Sequence, residues 1–383
     1  MRIEEILIYP IELTFITDFS HSMKEGRSVK NVIVEVLADK GDLTGFGEGA
    51  PRRYVTGEDQ VTALASLKTI TGRKDFPWNI EDHTQLWSFI KNLPDDKGSN
   101  SALCALEIAL LDALAKKGNI GIRQFLPPDH STELIHYGVI LPIATVDKLE
   151  HFCKQINLFK IDKVRVKVGP DLEWNIKSLD CIRQALGDGC EIRIDVNGCW
   201  DKALAIKHLS FINSFHVTVV EQPLPPGDKA YPDVAKAFKE AGAELMADES
   251  ACSMGEIIEI EKERSFSMIN VRLSKCGGFG RCIAMLDYLR KAAIRFQIGC
   301  HLGESGILSA AGRALALSCA DASYFDGSYD SYLLSENLTT RDVTFDLGGA
   351  AGEIPGPGLG VEVDRAKLRK MSLRKAVSIK RPG

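Results

Sequence analysis

The sequence predicts an α/β protein in which a (β/α)8 (TIM-like) barrel follows an α+β capping domain. Three observations lead to this prediction. The first third of the chain has strand patterns followed by helical patterns, the middle alternates short β-branched runs with helix-length gaps, and there are eight such runs. Alternation of this kind is typical of parallel strands with right-handed crossovers, and eight strands close a barrel. An open doubly wound sheet is the competing interpretation of the pattern.

The capping domain is expected to begin with antiparallel strands and to continue with helices. Residues 2–13 and 29–38 alternate or run apolar, and the Asp-Lys-Gly-Asp sequence at residues 39–42 supplies a turn. Alanine and leucine recur at three- and four-residue spacing over residues 101–117, and Gly118 follows them. That spacing predicts a helix, which the glycine ends. Strands followed by helices favour a small α+β domain.

Changes in composition divide the chain into three parts. The proline-containing residues 126–129 are the expected linker, so residues 1–128 are assigned to the α+β capping domain and residues 129–347 to the (β/α)8-type barrel. Residues 348–383 are rich in glycine and proline and then basic, and this C-terminal segment is expected to return to the capping domain.

The candidate barrel strands are short and rich in β-branched residues, as buried parallel strands are. They are residues 135–140, 163–168, 191–196, 217–221, 244–247, 268–273, 296–300 and 322–326.

Composition and charge exclude several classes of protein. The chain has 383 residues, of which 45% are hydrophobic and 26% charged, enough for a large core without disulfides. A net charge of -5 argues against a nucleic-acid partner. The ten cysteines are scattered singly, as reduced thiols of the cytoplasm are. We find no signal-peptide core and no window of the ~20 apolar residues that a membrane span needs, so we expect a cytoplasmic protein without a membrane partner.

Three acidic residues directly follow three successive barrel strands. Asp195, Glu221 and Asp248 each come after an apolar run, and neighbours are about 26 residues apart, near the length of one β/α unit. Because the carboxyl ends of barrel strands meet at one face, the three carboxylates are expected to lie side by side. Their repulsion would favour protonation unless a hard cation binds them, and Mg²⁺ prefers oxygen ligands. For any one acid alone, a helix N-cap or an arginine partner is the alternative.

Two lysines complete this pattern. Lys167 lies at the end of the second strand, where it shares a strand face with Arg165, and Lys275 lies just past the sixth strand. Strands two and six face each other across an eight-stranded ring, so a substrate held between them would have one amine on each face. Positive neighbours are expected to lower the pKa of each lysine, which a lysine base requires.

These parts suit the removal of a proton from the carbon next to a carboxylate. Removal of that proton puts a second negative charge on the carboxylate oxygens. A divalent cation and cationic side chains stabilise this enediolate more than the ground state, and a base within reach takes the proton. The sequence therefore predicts Mg²⁺-dependent abstraction of an α-proton, with a metal-stabilised enediolate as the intermediate and Mn²⁺ as the alternative metal.

Several motifs occur in an order and spacing that are together highly specific. They are Gly47-Glu48-Gly49-Ala50-Pro51, Thr56-Gly57-Glu58, Ala105-Leu106-Glu107, Arg165-Val166-Lys167, Asp195-Val196-Asn197, Glu221-Gln222-Pro223, Asp248-Glu249-Ser250, Lys275-Cys276-Gly277-Gly278 and Gly356-Pro357-Gly358. With these motifs the chain resembles the enolase superfamily, in its muconate lactonizing enzyme subgroup (mandelate racemase/muconate lactonizing enzyme family), over nearly its whole length. The mandelate racemase subgroup fits less well, because it has an Asp after strand six and this chain does not.

The resemblance implies roles for the residues in these motifs. It implies that Asp195, Glu221 and Asp248 bind the metal and that Lys167 and Lys275 form the acid/base pair. Sites of this superfamily combine a Lys or His base with Mg²⁺.

The resemblance also implies a shell of supporting and substrate-binding residues. Asn197 and Glu249 lie in the same motifs as two of the ligands and are expected to support them. The cap loops near residues 17–27 and 52–56 are expected to close over the substrate and select it, with Arg53 as a substrate contact.

The chain departs from the pattern of the family's dipeptide epimerases at positions expected to contact substrate. Arg165 stands where a lysine is usual, and it is expected to grip a carboxylate because an arginine cannot cycle protons. His301 and Glu304 follow strand seven, and His301 is expected either to meet the substrate or to be a structural histidine. Asp326 follows strand eight without the second acid that would hold a dipeptide's ammonium, so a dipeptide substrate is not favoured.

The sequence thus predicts an isomerase acting on a small-molecule carboxylate. The leading hypothesis is a two-base racemase or epimerase of an amino-acid derivative or dipeptide. A muconate-type cycloisomerase and a β-elimination lyase, either an o-succinylbenzoate synthase or a dehydratase, remain alternatives. A homo-oligomer is expected. A metal-binding barrel without catalysis is the alternative of another class, and retention of both lysines argues against it.

Overall fold

The computed structural model describes residues 1–21 and 24–383, and the side chains of residues 17–25 lie outside the described part. Its strands are β1 (Ile3–His21), β2 (Lys24–Ala38), β3 (Leu43–Gly49), β4 (Leu134–His136), β5 (Val139–Leu141), β6 (Lys163–Lys167), β7 (Glu191–Asp195), β8 (Val217–Glu221), β9 (Glu244–Ala247), β10 (Met268–Val271), β11 (Arg295–Ile298), β12 (Tyr324–Phe325), β13 (Ala350–Gly352) and β14 (Val377–Lys380). Its α-helices are α1 (Gln60–Thr71), α2 (His83–Lys91), α3 (Asn100–Lys117), α4 (Val146–Leu158), α5 (Leu172–Leu186), α6 (Lys202–Ser214), α7 (Tyr231–Glu240), α8 (Met254–Glu263), α9 (Leu273–Cys276), α10 (Phe279–Lys291), α11 (Gly306–Leu317), α12 (Asp330–Leu333) and α13 (Arg365–Met371).

The N-terminal part pairs an antiparallel sheet with a buried helix. The sheet has the order β14-β1-β2-β3, and α3 packs on β3. Glycines on β3 allow this close approach, because a Cβ atom at Gly45 or Gly47 would lie 2.1 Å from a backbone oxygen of α3. The predicted strand–helix order of the capping domain is therefore present.

The helix α3 is the one described element that passes a membrane-span test by length and composition. The stretch Lys97–Lys117 has a mean hydropathy of 1.2, and 89% of the tested window is buried inside the protein. The expectation that no stretch of the chain is long and apolar enough to span a membrane therefore does not hold for residues 97–117. Burial against β2 and β3 identifies this apolar stretch as a core helix.

The second part confirms the predicted (β/α)8 architecture. Strands β5 to β12 form one curled parallel sheet in chain order, with a helix after each strand from β5 to β11. The register aligns Lys167 with Asp195 and Asp195 with Glu221, so the ends of β6, β7 and β8 lie at one level. Asp248 follows β9 two residues beyond Met246, which pairs with Glu221.

The first predicted barrel strand, residues 135–140, is wrong as a single element. Its first half, β4, pairs antiparallel with β13 outside the barrel, whereas β5 pairs with β6 inside it. Tyr137 and Gly138 mark the change of partner, because Tyr137 N donates to Gly349 O and Gly138 N donates to Phe325 O.

The barrel is held loosely between its first and last strands, and we call this gap between β5 and β12 the seam. The strand β12 has two residues and pairs with β11, and β5 pairs with β6. Across the seam, Gly138 N donates to Phe325 O at 2.9 Å, and the Tyr329 hydroxyl donates to Gly138 O at 2.9 Å. A two-residue strand leaves little backbone to continue the ladder.

The C-terminal segment contacts both parts of the chain. The strand β13 pairs with β4. The strand β14 pairs antiparallel with β1, with Glu5 opposite Lys380 and Ile8 opposite Val377. The helix α13 also packs on β1. The domain boundaries at residues 128 and 347 stay predictions.

Candidate active site

Three buried carboxylates form a row along the ends of neighbouring barrel strands. Asp195, Glu221 and Asp248 each have 0% exposure. Asp195 ends β7, Glu221 ends β8 and Asp248 directly follows β9, so the strand order places Glu221 in the middle. The parallel register thus produces the side-by-side arrangement that the sequence predicts.

Two arginines bridge the members of this row. Arg165 Nη1 lies 3.0 Å from Asp195 Oδ2 and 2.5 Å from Glu221 Oε2. Arg272 Nη2 lies 3.0 Å from Glu221 Oε1 and 2.6 Å from Asp248 Oδ2. Burial raises the pKa of Glu221, but the charges of Arg165 and Arg272 outweigh it and the pKa is lowered. Each neighbouring pair of carboxylates therefore shares one guanidinium nitrogen.

Lys167 lies at one end of the row. Its Nζ donates to Asp195 Oδ2 at 2.5 Å and to Asn197 Oδ1 at 2.8 Å. Asn197 in turn donates to Glu249 Oε1 at 3.1 Å. Burial, followed by the charges of Asp248 and Asp195, raises the pKa of Glu249 to about 8. Both expected supporting residues, Asn197 and Glu249, therefore join the carboxylate cluster.

Lys275 lies at the other end of the row and is fully buried. Its Nζ donates to Asp248 O at 2.8 Å, to Asp248 Oδ1 at 3.1 Å and to Asn270 O. Burial lowers the pKa of Lys275, but the charge of Asp248 outweighs it and the pKa is raised. In the structure the dominant charged neighbour of Lys275 is thus a carboxylate, and the expected lowering of its pKa by a bound cation stays a prediction.

The three carboxylates of this row provide the type of ligand atom that a hard divalent cation prefers. The three carboxylates are buried and offer only oxygen, which is what Mg²⁺ prefers. Glu249 Oε2 is buried beside them without a hydrogen-bond partner. Within residues 1–21 and 24–383, no three His, Cys, Asp or Glu side chains are spaced to hold one metal ion. The carboxylates are spaced instead around the guanidinium nitrogens of Arg165 and Arg272.

A cavity of about 550 Å³ opens onto this cluster. Arg165, Lys167, Asn197 and Arg272 line it, and Lys275 does not. Tyr54, from the cap loop 52–56, also lines it, which places that loop at the cavity as expected. Most side chains of the other expected loop, residues 17–27, lie outside the described part of the structure.

Two residues predicted to bind substrate lie elsewhere. Asp326 is 2% exposed, and its oxygens meet Arg193 Nη2 and Arg165 Nε, each at 3.0 Å, inside the barrel. Arg53 has a side chain that is 78% exposed, and it pairs with Asp59 at the start of α1. Neither residue lines the cavity. Their assignment to substrate binding stays a prediction, and in the structure Asp326 pairs with buried arginines while Arg53 pairs with Asp59 at the surface.

Arg165 has partners other than the expected one. It lines the cavity, but its guanidinium contacts Asp195, Glu221 and Asp326 of its own chain. Its expected contact with a substrate carboxylate stays a prediction, and its place in the cavity lining is compatible with that contact.

After strand seven, Cys300 and Leu302 line the cavity, whereas His301 and Glu304 are outside its lining. His301 is 2% exposed, and burial with the charges of Arg272 and Arg52 holds its pKa well below the usual value. Its backbone N donates to Glu304 at 2.6 Å, and burial raises the pKa of Glu304 to about 8. The Nδ1 atom of His301 is buried without a hydrogen-bond partner, so its role as a structural histidine or a substrate contact stays a prediction.

Arg272 is the main site residue that sequence reasoning missed. It directly follows β10, contacts two of the three carboxylates and lines the cavity. The signal was a charged residue at a strand end, the same signal that identified the three acids.

The sequence matches a known family over most of the barrel. A family model described as "Enolase C-terminal domain-like" matches residues 148–367, which is more than half of the chain. The chain belongs to the enolase C-terminal domain-like family. The enolase-superfamily resemblance is thereby confirmed.

Curated relatives of this family member perform several reactions. A hydrophobic dipeptide epimerase of Enterococcus faecalis is 26% identical over 370 residues, covering 92% of this chain and 99% of the relative. An N-succinyl-L-Arg/Lys racemase of Bacillus cereus is 26% identical and covers 97% and 98%. An o-succinylbenzoate synthase of Bacillus subtilis is 25% identical and covers 97% and 96%. The relatives are enzymes, mostly isomerases, and this chain is an enzyme of that family.

Solved structures have the same fold. The N-succinyl Arg/Lys racemase structure from Bacillus cereus superposes with a TM-score of 0.87 at 24% identity, covering 99% of this chain and 100% of that one. The Enterococcus faecalis dipeptide epimerase, solved with Mg and L-Leu-L-Tyr, gives a TM-score of 0.82 at 22% identity and covers 94% and 100%. Magnesium is therefore a feature of structures with this fold.

Proposed function

We propose that this enzyme abstracts the α-proton of a small carboxylate in a Mg²⁺-dependent reaction and returns a proton to the same carbon. The observation that carries this proposal is the order of charged groups along the strand ends. Lys167 and Lys275 lie at opposite ends of the row Asp195, Glu221 and Asp248. A cation held by that row would lie between two ammonium groups, as a two-base racemase or epimerase requires.

Cationic side chains face the place where negative charge develops. Loss of an α-proton moves charge onto the substrate carboxylate, and groups that already carry positive charge stabilise it without reorganising. Arg165, Lys167 and Arg272 all line the cavity. Mg²⁺ (or Mn²⁺) held by Asp195, Glu221 and Asp248 would add positive charge at the same carboxylate.

The two lysines have different access to a substrate. Lys167 lines the cavity and donates to Asp195 and Asn197, so these two partners orient its Nζ for proton transfer. Lys275 is fully buried and bonded to Asp248 and to the Asn270 carbonyl. Exchange of a proton with Lys275 therefore requires it to leave Asp248.

A one-base reaction is the second candidate function. It is favoured by the observation that Lys167 reaches the cavity and Lys275 does not. A β-elimination or a cycloisomerisation needs one lysine to move the proton, while the other serves as a fixed positive charge. The o-succinylbenzoate synthase relative shows that the sequence family includes such an outcome.

The test is α-deuterium exchange in D2O, followed by proton NMR, over N-acylamino acids, dipeptides, muconates and o-succinylbenzoate precursors. We expect exchange at the α-carbon of at least one of these carboxylates, with loss of exchange in EDTA and recovery with Mg²⁺. Inverted, deuterated product would indicate the two-base reaction, whereas an unsaturated or cyclised product would indicate the second candidate. Exchange that persists unchanged in EDTA would refute the metal-dependent proposal.

We also propose a cytoplasmic homo-oligomer. All ten cysteines are free thiols, which is consistent with a reducing compartment. Size-exclusion chromatography with light scattering would measure the oligomeric state.

A further inference from the structure

The cavity continues from the charged cluster through the seam to the other side of the sheet. Ile140 pairs in register with Arg165, so it lies on the face of β5 that points into the barrel. Val139 and Leu141 lie on the opposite face, and all three residues line the cavity. The cavity therefore passes around β5, where the ladder between β5 and β12 is interrupted.

The part of the cavity beyond β5 has apolar and aromatic walls, and we call it the apolar branch. Its walls are Val139, Phe152, Ile156, Phe159, Tyr332 and Phe345. The ring centroids of Phe159 and Tyr332 are 5.4 Å apart, and those of Tyr332 and Phe345 are 5.2 Å apart. Aromatic contacts of this kind form a preorganised wall against which apolar groups pack.

Strand β5 is less well covered than its neighbours. Val139 and Ile140 are both partly exposed, whereas Val164 and Val166 on β6 are 0% and 1% exposed. Apolar strand surface without a covering helix or side chain is unfavourable in water, and a bound apolar group would remove it from water. The partly exposed residues of β5 line the same cavity as the charged cluster, so a molecule bound at that cluster lies within reach of them.

Charge is confined to one end of the cavity. Arg165, Lys167 and Arg272 line its inner end, and His151 lies at the exposed outer rim on α4. No Asp or Glu of the described residues lines it. A single carboxylate has cationic partners at the inner end. In the apolar branch an ammonium group would find no carboxylate, and a second carboxylate would find only His151 at the outer rim.

We propose that the substrate is a monocarboxylate that carries one large, uncharged apolar group, and that this group lies in the apolar branch. An amino acid whose nitrogen is acylated and therefore neutral, with a long aliphatic or aromatic substituent, fits this description. Free dipeptides, N-succinylamino acids and muconates do not, because each has a second charged group. This inference rests on the proposed function for its reaction and on the cavity alone for its binding.

A series of N-acylalanines tests the inference in the exchange reaction. From N-acetylalanine to N-hexanoylalanine and N-decanoylalanine, KM for α-deuterium exchange should fall about fourfold per added methylene, the equivalent of about 0.8 kcal/mol, until the branch is full. A parallel series of N-acetylamino acids from alanine to phenylalanine and homophenylalanine covers the case in which the side chain occupies the branch. A KM that stays flat in both series while N-acetylalanine exchanges would overturn the inference.

Two variants locate the effect. Val139→Phe places a ring in the apolar branch and should flatten the dependence of KM on chain length. Phe159→Ala widens the branch and should move the lowest KM to longer chains, which keeps the test valid if Val139→Phe does not fold. Leu158→Phe is the matched control, because Leu158 directly precedes Phe159 at the end of α4 but is 69% exposed and outside the cavity lining. In this control, KM should depend on chain length as it does in the wild type. If the control lost that dependence as well, the assignment of the apolar branch would be contradicted.

Equilibrium binding separates this inference from the proposed function. Titration calorimetry with acetate and octanoate should show at least tenfold tighter binding of octanoate, and Val139→Phe should remove the difference. If octanoate binds more tightly than acetate but no substrate exchanges its α-proton, binding in the apolar branch is supported and the proposed function is contradicted. If N-acylamino acids exchange but octanoate binds no more tightly than acetate, the proposed function stands and the apolar branch fails.

Discussion

The two sides of the barrel mouth differ in composition and in strand pairing. On one side, β6 to β10 pair with one another in chain order, and the carboxylates, arginines and lysines lie on these strands or just beyond their ends. On the other, β5 and β12 meet through little backbone pairing, and the nearby side chains are apolar and aromatic. The two sides therefore have different roles. The paired strands hold charged groups at fixed positions, and the incomplete pairing between β5 and β12 leaves space next to those groups.

The cost of burying charge explains why the two tasks lie on different sides. A buried carboxylate needs partners at short distance, and parallel strands in register supply them repeatedly. Asp195, Glu221 and Asp248 are all satisfied in this way through Arg165 and Arg272. An apolar space needs no such precision, so it can occur where the ladder ends.

The largest expected effect is on metal affinity at the charged side. Asp248→Asn removes one of the three negative charges while keeping an oxygen for Lys275, and we expect Mg²⁺ to bind at least a hundredfold more weakly. Titration calorimetry measures this. Asp233→Asn is the control, because Asp233 pairs with Lys202 on the exposed face of α7. Equal losses in the two variants, or none in Asp248→Asn, would contradict the assignment of Asp248.

A second prediction concerns the cap helix behind the charged side. Burial raises the pKa of Glu107 to about 7, although Gly280 N and Trp87 Nε1 donate to it. Because the folded state holds the proton more tightly than the unfolded state, the stability from this group is present at low pH and is lost as the pH rises towards 7. Between pH 5 and pH 7 we expect the wild type to lose about 2 kcal/mol relative to Glu107→Gln.

Chemical denaturation at several pH values compares the two proteins. Glu81→Gln, an exposed glutamate of the same domain, should retain the wild-type pH dependence. Parallel stability curves for the wild type and Glu107→Gln would show that Glu107 titrates normally.

A third prediction concerns Arg272, which touches both the metal-binding row and the cavity. Arg272→Met removes a positive charge beside Glu221 and Asp248, so we expect Mg²⁺ to bind on the order of tenfold more tightly. The same change removes a cation from the cavity, so KM for a carboxylate substrate should rise by a similar factor. Arg272→Lys keeps the charge and should remain near the wild type in Mg²⁺ affinity. If Arg272→Met bound both Mg²⁺ and the substrate more tightly, or both more weakly, the assignment of Arg272 to both the metal-binding row and the cavity would be contradicted.

The smallest expected effect is at the seam. Tyr329→Phe removes the hydroxyl that donates to Gly138 O across the seam, and we expect a loss of about 1 kcal/mol in the free energy of unfolding. Denaturant titration measures this loss, and Tyr332→Phe is a control on the same segment whose hydroxyl contacts Phe345 O at 3.4 Å. A loss above that of the control supports a structural role for this contact.

Local patterns in the sequence predict the charged side well. Lys167, Asp195 and Glu221 are the last residues of β6, β7 and β8, and Asp248 directly follows β9, so strand register alone brings them together. The partners of these groups are less predictable, because Asp326 and Arg165 turn into the barrel to satisfy each other and Lys275 turns to Asp248. Side-chain direction of this kind depends on which charges remain unsatisfied after the strands are assembled.

The seam is not predictable from these patterns. The pattern of residues 135–140 predicts one strand. Nothing in that pattern indicates that β4 pairs with β13 while β5 pairs with β6 in the barrel. The apolar branch results from pairing that is missing between β5 and β12, which are far apart in sequence. An absent contact between distant segments leaves no local signal.

The most direct test of the charged side follows α-proton exchange from each enantiomer of one substrate separately, in the wild type, Lys167→Ala and Lys275→Ala. The account predicts Mg²⁺-dependent exchange in the wild type and a loss of at least a hundredfold in Lys167→Ala, because Lys167 is the ammonium that faces the cavity. Lys163→Ala, at the start of the same strand, should exchange as the wild type does. Wild-type exchange of both enantiomers in Lys167→Ala would contradict the account.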